Sequence, residues 1–473
     1  MSVRGTPETD RPSVLLIHSH DLGRHLGCYD RGVATPNIDA LAEDGTLLEN
    51  HFCTAPQCCP SRGSLHTGRH PHVNGLMGQI TWGWDLPADE TTMSEYLSDA
   101  GYSTHVFGVQ HVRQDSTSIY DRVHADADPA DEIADAVGED LPGMTDDGPF
   151  FASVGFFEPH LSGGGEEAPY TYAYPDLDET TFEHTDPGDV EVPAYLPDRP
   201  QIREAVADLD DLVTHTLDDA VGRVLDRLDG AGLAEETLVI FTTDHGLALP
   251  RAKGSCYDPG IEVAFLARLP GVLDGGERYD ELTSHVDVLP TLLDMLDLPI
   301  PEDLDGRSFR GLISEGSDGE SYTPREFVRA ETTWHERYVP MRAVRTENYK
   351  YVRNFWKQQR VHLPADIFGS RAGREVREEY YVNERAREEL YDLREDPHEQ
   401  DSRASSRGPL SPPGSGGMFD SPGTGADPDP EYTDAVQRLR RHVFDWMRAT
   451  DDPLLDGPVS RPGSDVWEPD EVM

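Results

Sequence analysis

Between residues 13 and 300, apolar runs of strand length alternate with segments whose apolar residues recur every three or four positions. That alternation restricts the chain to α/β folds in which helices cover a largely parallel sheet. Residues 14–17 read as a buried strand, and residues 37–43 and 93–100 as helices ending at Gly45 and Gly101. Residues 104–107, 151–154, 238–242 and 264–269 are further strands, and a helix surrounds residues 286–296. The longest helix carries Ile202, Val206, Leu209, Val213, Leu217, Val221, Val224 and Leu228 and stops at Gly230. From about Arg325 the pattern turns to hairpin-like pairs, 341–345 against 349–354, with 389–393 as another strand. The expected organisation is a catalytic-sized domain over 10–320 and a small α+β subdomain over 321–473. The latter contains a flexible Ser/Gly/Pro-rich loop at about 402–430 and an amphipathic helix over 432–447.

Charge narrows the partners. The 473 residues hold 90 Asp and Glu against 40 Lys and Arg, a formal net charge of −50 that repels nucleic acid and anionic membranes. Lys253, Lys350 and Lys357 are the only lysines. A chain so acidic and lysine-poor is similar to haloarchaeal proteins, whose surfaces work in concentrated salt where repulsion is screened. Five cysteines (Cys28, Cys53, Cys58, Cys59, Cys256) follow neither a disulfide framework nor paired zinc-ligand spacing, which fits a reducing interior. Residues 1–11 lack a signal-peptide pattern, and no run is apolar enough to span a bilayer. The expectation is a soluble, cytoplasmic protein; the oligomeric state is left open.

The most specific segment is Cys58-Cys59-Pro60-Ser61-Arg62, followed by Leu65, Thr67, Gly68 and Arg69. Pro60 suits the first turn of a helix, whose free N–H groups would face an anion, and Arg62 adds a fixed positive charge. The segment resembles the signature of the sulfatases, formylglycine-dependent enzymes of the alkaline phosphatase superfamily. The resemblance implies that Cys58 is oxidised by a separate formylglycine-generating enzyme. The aldehyde hydrate then offers one hydroxyl to attack sulfur and a second whose deprotonation expels sulfate.

Other segments extend the resemblance. His20-Asp21 follows the first strand where sulfatases have paired aspartates, so Asp21 matches the second and His20 stands in place of the first. Asp244-His245 follows strand 238–242 and resembles the family's other metal pair. The implied metal set is His20, Asp21, Cys58, Asp244 and His245 around one divalent cation, calcium by resemblance, with magnesium or manganese open because imidazole softens the site. Lys253 begins a Lys-Gly-Ser segment similar to the one whose lysine binds the substrate sulfate, and it is one of three lysines kept. His111 sits in a segment like the family's Gly-Lys-x-His, with Val109 at the lysine position, and is implied to contact the hydrate. Pro159-His160 resembles a Pro-His pair whose histidine protonates the leaving group. The catalytic candidates are therefore Cys58, Arg62, His111, His160 and Lys253.

Within the sulfatases, His72-x-Asn74-Gly75, Tyr257-x-Pro259-Gly260, Pro340-Met341-Arg342 and the run from Glu389 to Glu399 resemble the N-sulfoglucosamine sulfohydrolase group. The expected fold is an alkaline-phosphatase-like α/β sandwich with a small antiparallel C-terminal subdomain. The expected activity is hydrolysis of sulfate esters or sulfamates of a sugar. Two alternatives stand: a phosphodiester or phosphonate monoester hydrolase of the same superfamily, and a non-catalytic relic binding sulfated glycans, suggested by Val109 and His20.

Overall fold

Strand Ser13–Ser19 is buried along its whole length, and its side chains divide between two cores. Val14 and Leu16 join Leu65, Met93, Leu97, Leu289 and Leu292 on one face, whereas Leu15 and Ile17 join Ile38, Val137, Val206, Val224 and Phe241 on the other. A strand with helices on both faces reads as a continuous apolar run. In this computed structural model the described residues are 11–125, 129–145, 148–164, 168–175, 182–314, 322–356, 361–382, 385–404 and 429–463.

The central sheet has eight strands in the spatial order Glu277–Tyr279, Thr46–Leu48, Phe265–Arg268, Thr237–Thr243, Ser13–Ser19, Phe150–Gly155, Ser103–Gly108 and Arg122–Ala125. The last five are mutually parallel, and Phe265–Arg268 is antiparallel to its neighbours. Helix Cys58–Thr67 is buried throughout and packs with Met93–Asp99 and Val288–Met295 on one face. Pro36–Asp44, Ala130–Met144 and the long helix cover the other.

The long helix differs from the single regular element expected. It runs as Pro200–Leu212, a π-helical turn Val213–Asp218, then Asp219–Gly230. Thr214 bonds the Ala34 carbonyl within that turn, and Asp218 accepts from the amides of Asn37 and Ile38. These contacts with the next helix leave no trace in apolar periodicity. Strands Thr46–Leu48, Arg122–Ala125 and Glu277–Tyr279, of three or four residues, were too short to show a period. Helix Ala130–Met144 was hidden by its internal Pro142.

A four-stranded antiparallel sheet, Phe327–Trp334, Tyr338–Thr346, Tyr349–Asn354 and Glu388–Asp392, forms the C-terminal region. Its second hairpin pairs Met341 with Asn354 and Arg345 with Lys350, as expected. One face meets Leu439, Val443 and Met447 of helix Pro430–Ala449; the other meets Phe52, Cys256, Ile261 and Val263 beside the signature helix. Residues 405–428, where most of the expected flexible loop falls, lie outside the described residues.

Candidate active site

Four parallel strands end at the same edge, and each delivers a candidate residue just beyond its last position. His20 and Asp21 follow Ser19, His111 follows Gly108, His160 follows Gly155, and Asp244 and His245 follow Thr243. Loops at the carboxyl ends of parallel strands are where α/β folds bind ligands. The backbones approach closely here: a Cβ on Gly155 would lie 1.9 Å from the Val109 carbonyl oxygen, and one on Gly246 1.8 Å from that of Pro259. The N-terminus of helix Cys58–Thr67 completes the site, with Cys58 as its first residue.

Donor atoms of His20, Asp21, Cys58, Asp244 and His245 all lie within 4.8 Å of one another, every residue buried. Cys58 Sγ is 3.4 Å from His245 Nε2 and 3.8 Å from His20 Nδ1. His245 Nδ1 is 2.9 Å from the Gly246 carbonyl, which only accepts, so that nitrogen carries the proton. Its Nε2 lies 3.1 Å from Asp21 Oδ1 and 3.4 Å from Cys58 Sγ. Two carboxylates and two imidazoles thus converge with Cys58 on one buried gap, a donor set that needs protons or a cation among its members. The residues present thus fit a divalent cation, and Cys58 borders the same gap.

Asp244 is fixed from several sides. Its Oδ1 accepts from the amides of Asp21 and His245 at 2.9 and 2.8 Å, and Arg62 Nε reaches Oδ2 at 3.2 Å. Arg62 also bonds the Ser19 carbonyl and His18, so its guanidinium fastens the signature helix to the first strand. Burial would raise the Asp244 carboxyl, but His20, His245 and Arg62 outweigh it and hold it well below the ordinary value. Asp21 behaves alike: burial opposes, and Lys253, His160, His20 and His245 keep it ionised. Burial lowers His20 to about 4, against the pull of Asp244 and Asp21.

Lys253 lies fully inside. Its Nζ donates to Asp21 Oδ2 and Asp366 Oδ2, both at 2.7 Å, and stands 3.1 Å from His160 Nε2. Burial alone would lower its pKa; Asp21 and Asp366 reverse this and raise it well above the ordinary value. His160 Nδ1 is 2.7 Å from the Leu161 carbonyl, so Nε2 is left to accept from the ammonium. Burial, then Lys253, lowers the His160 pKa. His111 Nδ1 meets His20 Nε2 at 3.3 Å, so the contact it makes is with the imidazole behind Cys58. Val109 is buried where the resemblance expected a lysine. Burial pushes the Cys58 thiol well up, against Lys253, so an unmodified Cys58 is a poor thiolate nucleophile.

All nine candidate residues are thus gathered at one strand edge, directly or through one neighbour. Sequence reasoning missed Asp366, the second carboxylate on Lys253, which comes from the short helix Ala365–Gly369 more than a hundred residues away. It also missed Ser61, whose hydroxyl donates to the Asp244 carbonyl and lies 3.1 Å from His285 Nδ1. Nothing near Asp366 in the sequence marks it. Ser61 was visible only as part of the signature.

Comparison with known proteins places the chain in a family. The sulfatase family model matches residues 12–298, and a model for the C-terminal region of N-sulphoglucosamine sulphohydrolase matches 251–367. Human N-sulphoglucosamine sulphohydrolase is 27% identical over 496 residues, covering 94% of this chain and 92% of the relative. An ulvan-active sulfatase of Formosa agariphila is 27% identical, covering 96% of this chain and 83% of its own length. Among solved structures, BT4656 in complex with its substrate D-glucosamine-2-N,6-O-disulfate aligns with a TM-score of 0.65 at 16% identity, covering 93% of this chain and 98% of that one. The phosphonate monoester hydrolase of Agrobacterium radiobacter aligns with a TM-score of 0.65 at 20% identity, covering 95% and 100%. With a family model spanning more than half its length and relatives matched nearly end to end, the chain belongs to the sulfatase family and is a sulfuric ester hydrolase.

Proposed function

We propose that the protein hydrolyses sulfate esters or sulfamates of a sugar, with Cys58 converted to formylglycine by a maturing enzyme and a divalent cation beside it. The observation that carries this reading is the buried gap bordered by Cys58, on which His20, Asp21, Asp244 and His245 converge. Asp21, Asp244, His245 and His20 would hold the cation, which when bound would supply positive charge for the sulfuryl oxygens. Calcium follows from the resemblance, and the imidazole donors also accept magnesium or manganese. A formylglycine hydrate at position 58 supplies two hydroxyls on one carbon, one to attack sulfur and one through which sulfate is released.

The chain's own residues divide the remaining work. Lys253, held by Asp21 and Asp366, presents a fixed charge to the entering sulfate. His160, whose Nε2 lies 3.1 Å from Lys253 Nζ, is placed to take up a proton from water when a bound anion raises its proton affinity, and to pass it to the leaving oxygen or nitrogen. Arg62 keeps Asp244 ionised and placed. The sugar specificity is supported by the match of 251–367 to the N-sulphoglucosamine sulphohydrolase C-terminal model, a span that includes both Lys253 and Asp366. We also propose a cytoplasmic location, in keeping with five cysteines free of disulfides; among the described residues no helix is long and apolar enough to cross a membrane.

The test is a substrate panel of glucosamine N-sulfate, sugar O-sulfates, an aryl sulfate, a phosphodiester and a phosphonate monoester, with protein co-expressed with a formylglycine-generating enzyme. The sulfated sugars should be turned over with the highest kcat/KM. Preference for the phosphonate would move the reading to the hydrolase whose fold the chain shares. Tight glycan binding without turnover by modified protein would leave only the relic.

A further inference from the structure

Outside the strand-edge site, three potential ligands meet where two C-terminal segments come together. His335 and Glu336 form the turn between strands Phe327–Trp334 and Tyr338–Thr346, and His362 lies in the segment that packs over Gly254. One donor atom from each lies within 4.8 Å of the other two. Their side chains are 12%, 9% and 7% exposed, so the cluster is inside the protein, with His335 the least buried of the three. His335 Nδ1 contacts one carboxylate oxygen of Glu336, and His362 Nε2 is 3.2 Å from the other.

The His362 contact is unusual. At 3.2 Å from Glu336 Oε1, Nε2 still lacks the alignment of a hydrogen bond and has no other hydrogen-bond partner. A buried ring nitrogen held by so poorly aimed a contact is less well satisfied than a straight hydrogen bond would leave it. Donors spaced about 3.2 Å apart and not aimed along the line joining them are what ligands of a common ion look like, since two ligands at 2.0–2.1 Å from a tetrahedral ion lie roughly that far apart. Two imidazoles and one carboxylate, with the exposed side left for water, form a three-ligand set suited to a borderline divalent ion.

We propose that His335, Glu336 and His362 form a second metal site, selective for zinc over calcium, separate from the cation site at Asp21 and Asp244. Its position gives it a bearing on the first. A Cβ on Gly254 would lie 3.5 Å from His362 Cδ2 and 2.7 Å from Pro364 Cγ, so the segment carrying His362 rests on the residue next to Lys253 and leads directly into Asp366. On the other side, Gln79 Nε2 lies 3.5 Å from His335 Nε2, and Gln79 Oε1 accepts from the Cys59 thiol at 2.8 Å. An ion at the cluster would pin the hairpin turn to the 361–366 segment and so fix the wall that carries Asp366. Its metal selectivity follows from imidazole content: two nitrogens and one carboxylate bind zinc firmly and give calcium too few oxygens.

The test is zinc stoichiometry. Protein stripped with chelator and returned to buffer with excess calcium is titrated with zinc, and bound zinc is counted by elemental analysis after desalting. The wild-type chain should retain one more equivalent than His362→Phe, and Glu336→Gln should weaken that equivalent at least tenfold. Both variants should keep the wild-type circular dichroism spectrum and the wild-type calcium content. His335→Gln serves as a third probe should His362→Phe fail to fold. Equal zinc in the wild type and the folded variants, or no zinc retained by the wild type, would overturn the proposal. Because the readout is metal bound rather than sulfate released, the outcome is independent of the substrate assignment.

Discussion

Lys253 and Lys350, the two lysines within the described residues, are both fully buried, yet their surroundings differ in kind. Lys350 donates to Asp258 at 2.6 Å and lies 3.7 Å from Glu399; Asp258 is met again by Arg345, and its amide donates to Glu399. Lys350 and Arg345 share Asp258, burial pushes the Glu399 carboxyl up to about 8, and the cluster fastens the C-terminal sheet to the loop after Lys253. Around Lys253 the balance is left open: the carboxylates Asp21, Asp244 and Asp366 face Lys253 and Arg62, His20, His245 and Cys58 converge on the same gap, and His160 turns a lone pair to the ammonium. A closed ion cluster holds a fold, whereas an open one waits for ligands. Lysine scarcity therefore marks buried ion pairing in this chain, and only the imbalance of partners marks function.

The sharpest separation of the two regions is at Cys58. Cys58→Ala should lower turnover of sulfated substrates by roughly 10⁴-fold or more, since it removes the proposed nucleophile. Its thermal midpoint should match the wild type, because little core volume is lost. Mass spectrometry of the peptide spanning Cys58 and Arg62 should show one thiol replaced by an aldehyde or its hydrate, with Cys59 intact. Active protein carrying an unmodified Cys58 breaks the assignment.

The converse change is Lys350→Met. Removing one member of a buried charge cluster should cost about 3–5 kcal/mol of stability, measured by denaturant unfolding, with kcat of the folded fraction unchanged. The acid limb of stability should also move. Burial would raise Asp258, but Lys350, followed by Arg345, outweighs it and holds it down to about 2. A carboxyl depressed in the folded state stabilises above its unfolded value of about 3.9 and loses that contribution as pH falls toward the folded one. Without Lys350 the folded carboxyl is no longer held down so far, and this loss should be smaller and complete at higher pH. A fall in kcat with stability intact would erase the distinction between the regions.

Asp366→Asn should act between these extremes. Lys253 would keep Asp21 but lose its second carboxylate, lowering kcat/KM by about 10–100-fold, the range seen when a supporting partner of a site residue is removed. Asp366 raises the Lys253 pKa, so the basic limb of the kcat/KM profile should shift to lower pH. An unshifted limb would reduce Asp366 to a packing role.

The smallest difference expected is under salt. The net charge of −50 should make wild-type stability rise steeply as the Debye length falls from about 10 Å at 0.1 M to 3 Å at 1 M. Buried clusters are screened little, so Lys350→Met and Asp366→Asn should show the wild-type salt slope in circular dichroism. Full stability at low salt would remove the proposal of a salt-adapted surface.

Sequence by itself determined the layers and the signature. Apolar periodicity is a local property, so strand Ser13–Ser19, strand Thr237–Thr243 and the helices flanking them were legible from spacing. The contiguous Cys58–Arg62 segment carried its meaning in order alone, and the strand-end positions of His20, Asp21, Asp244 and His245 followed from where the apolar runs stop. The structure alone decided which distant groups complete them. Asp366 reaches Lys253 across 113 positions, His335 and Glu336 meet His362, and Asp258 pairs with Lys350, and none has a local pattern to reveal it. It also decided which nitrogen of each imidazole is free, because the carbonyls of Gly246 and Leu161 take one and leave the other to the site. The physical reason is the same throughout: a side chain's type is written in the sequence, but its partner is set by which loops the packed sheet edge brings together.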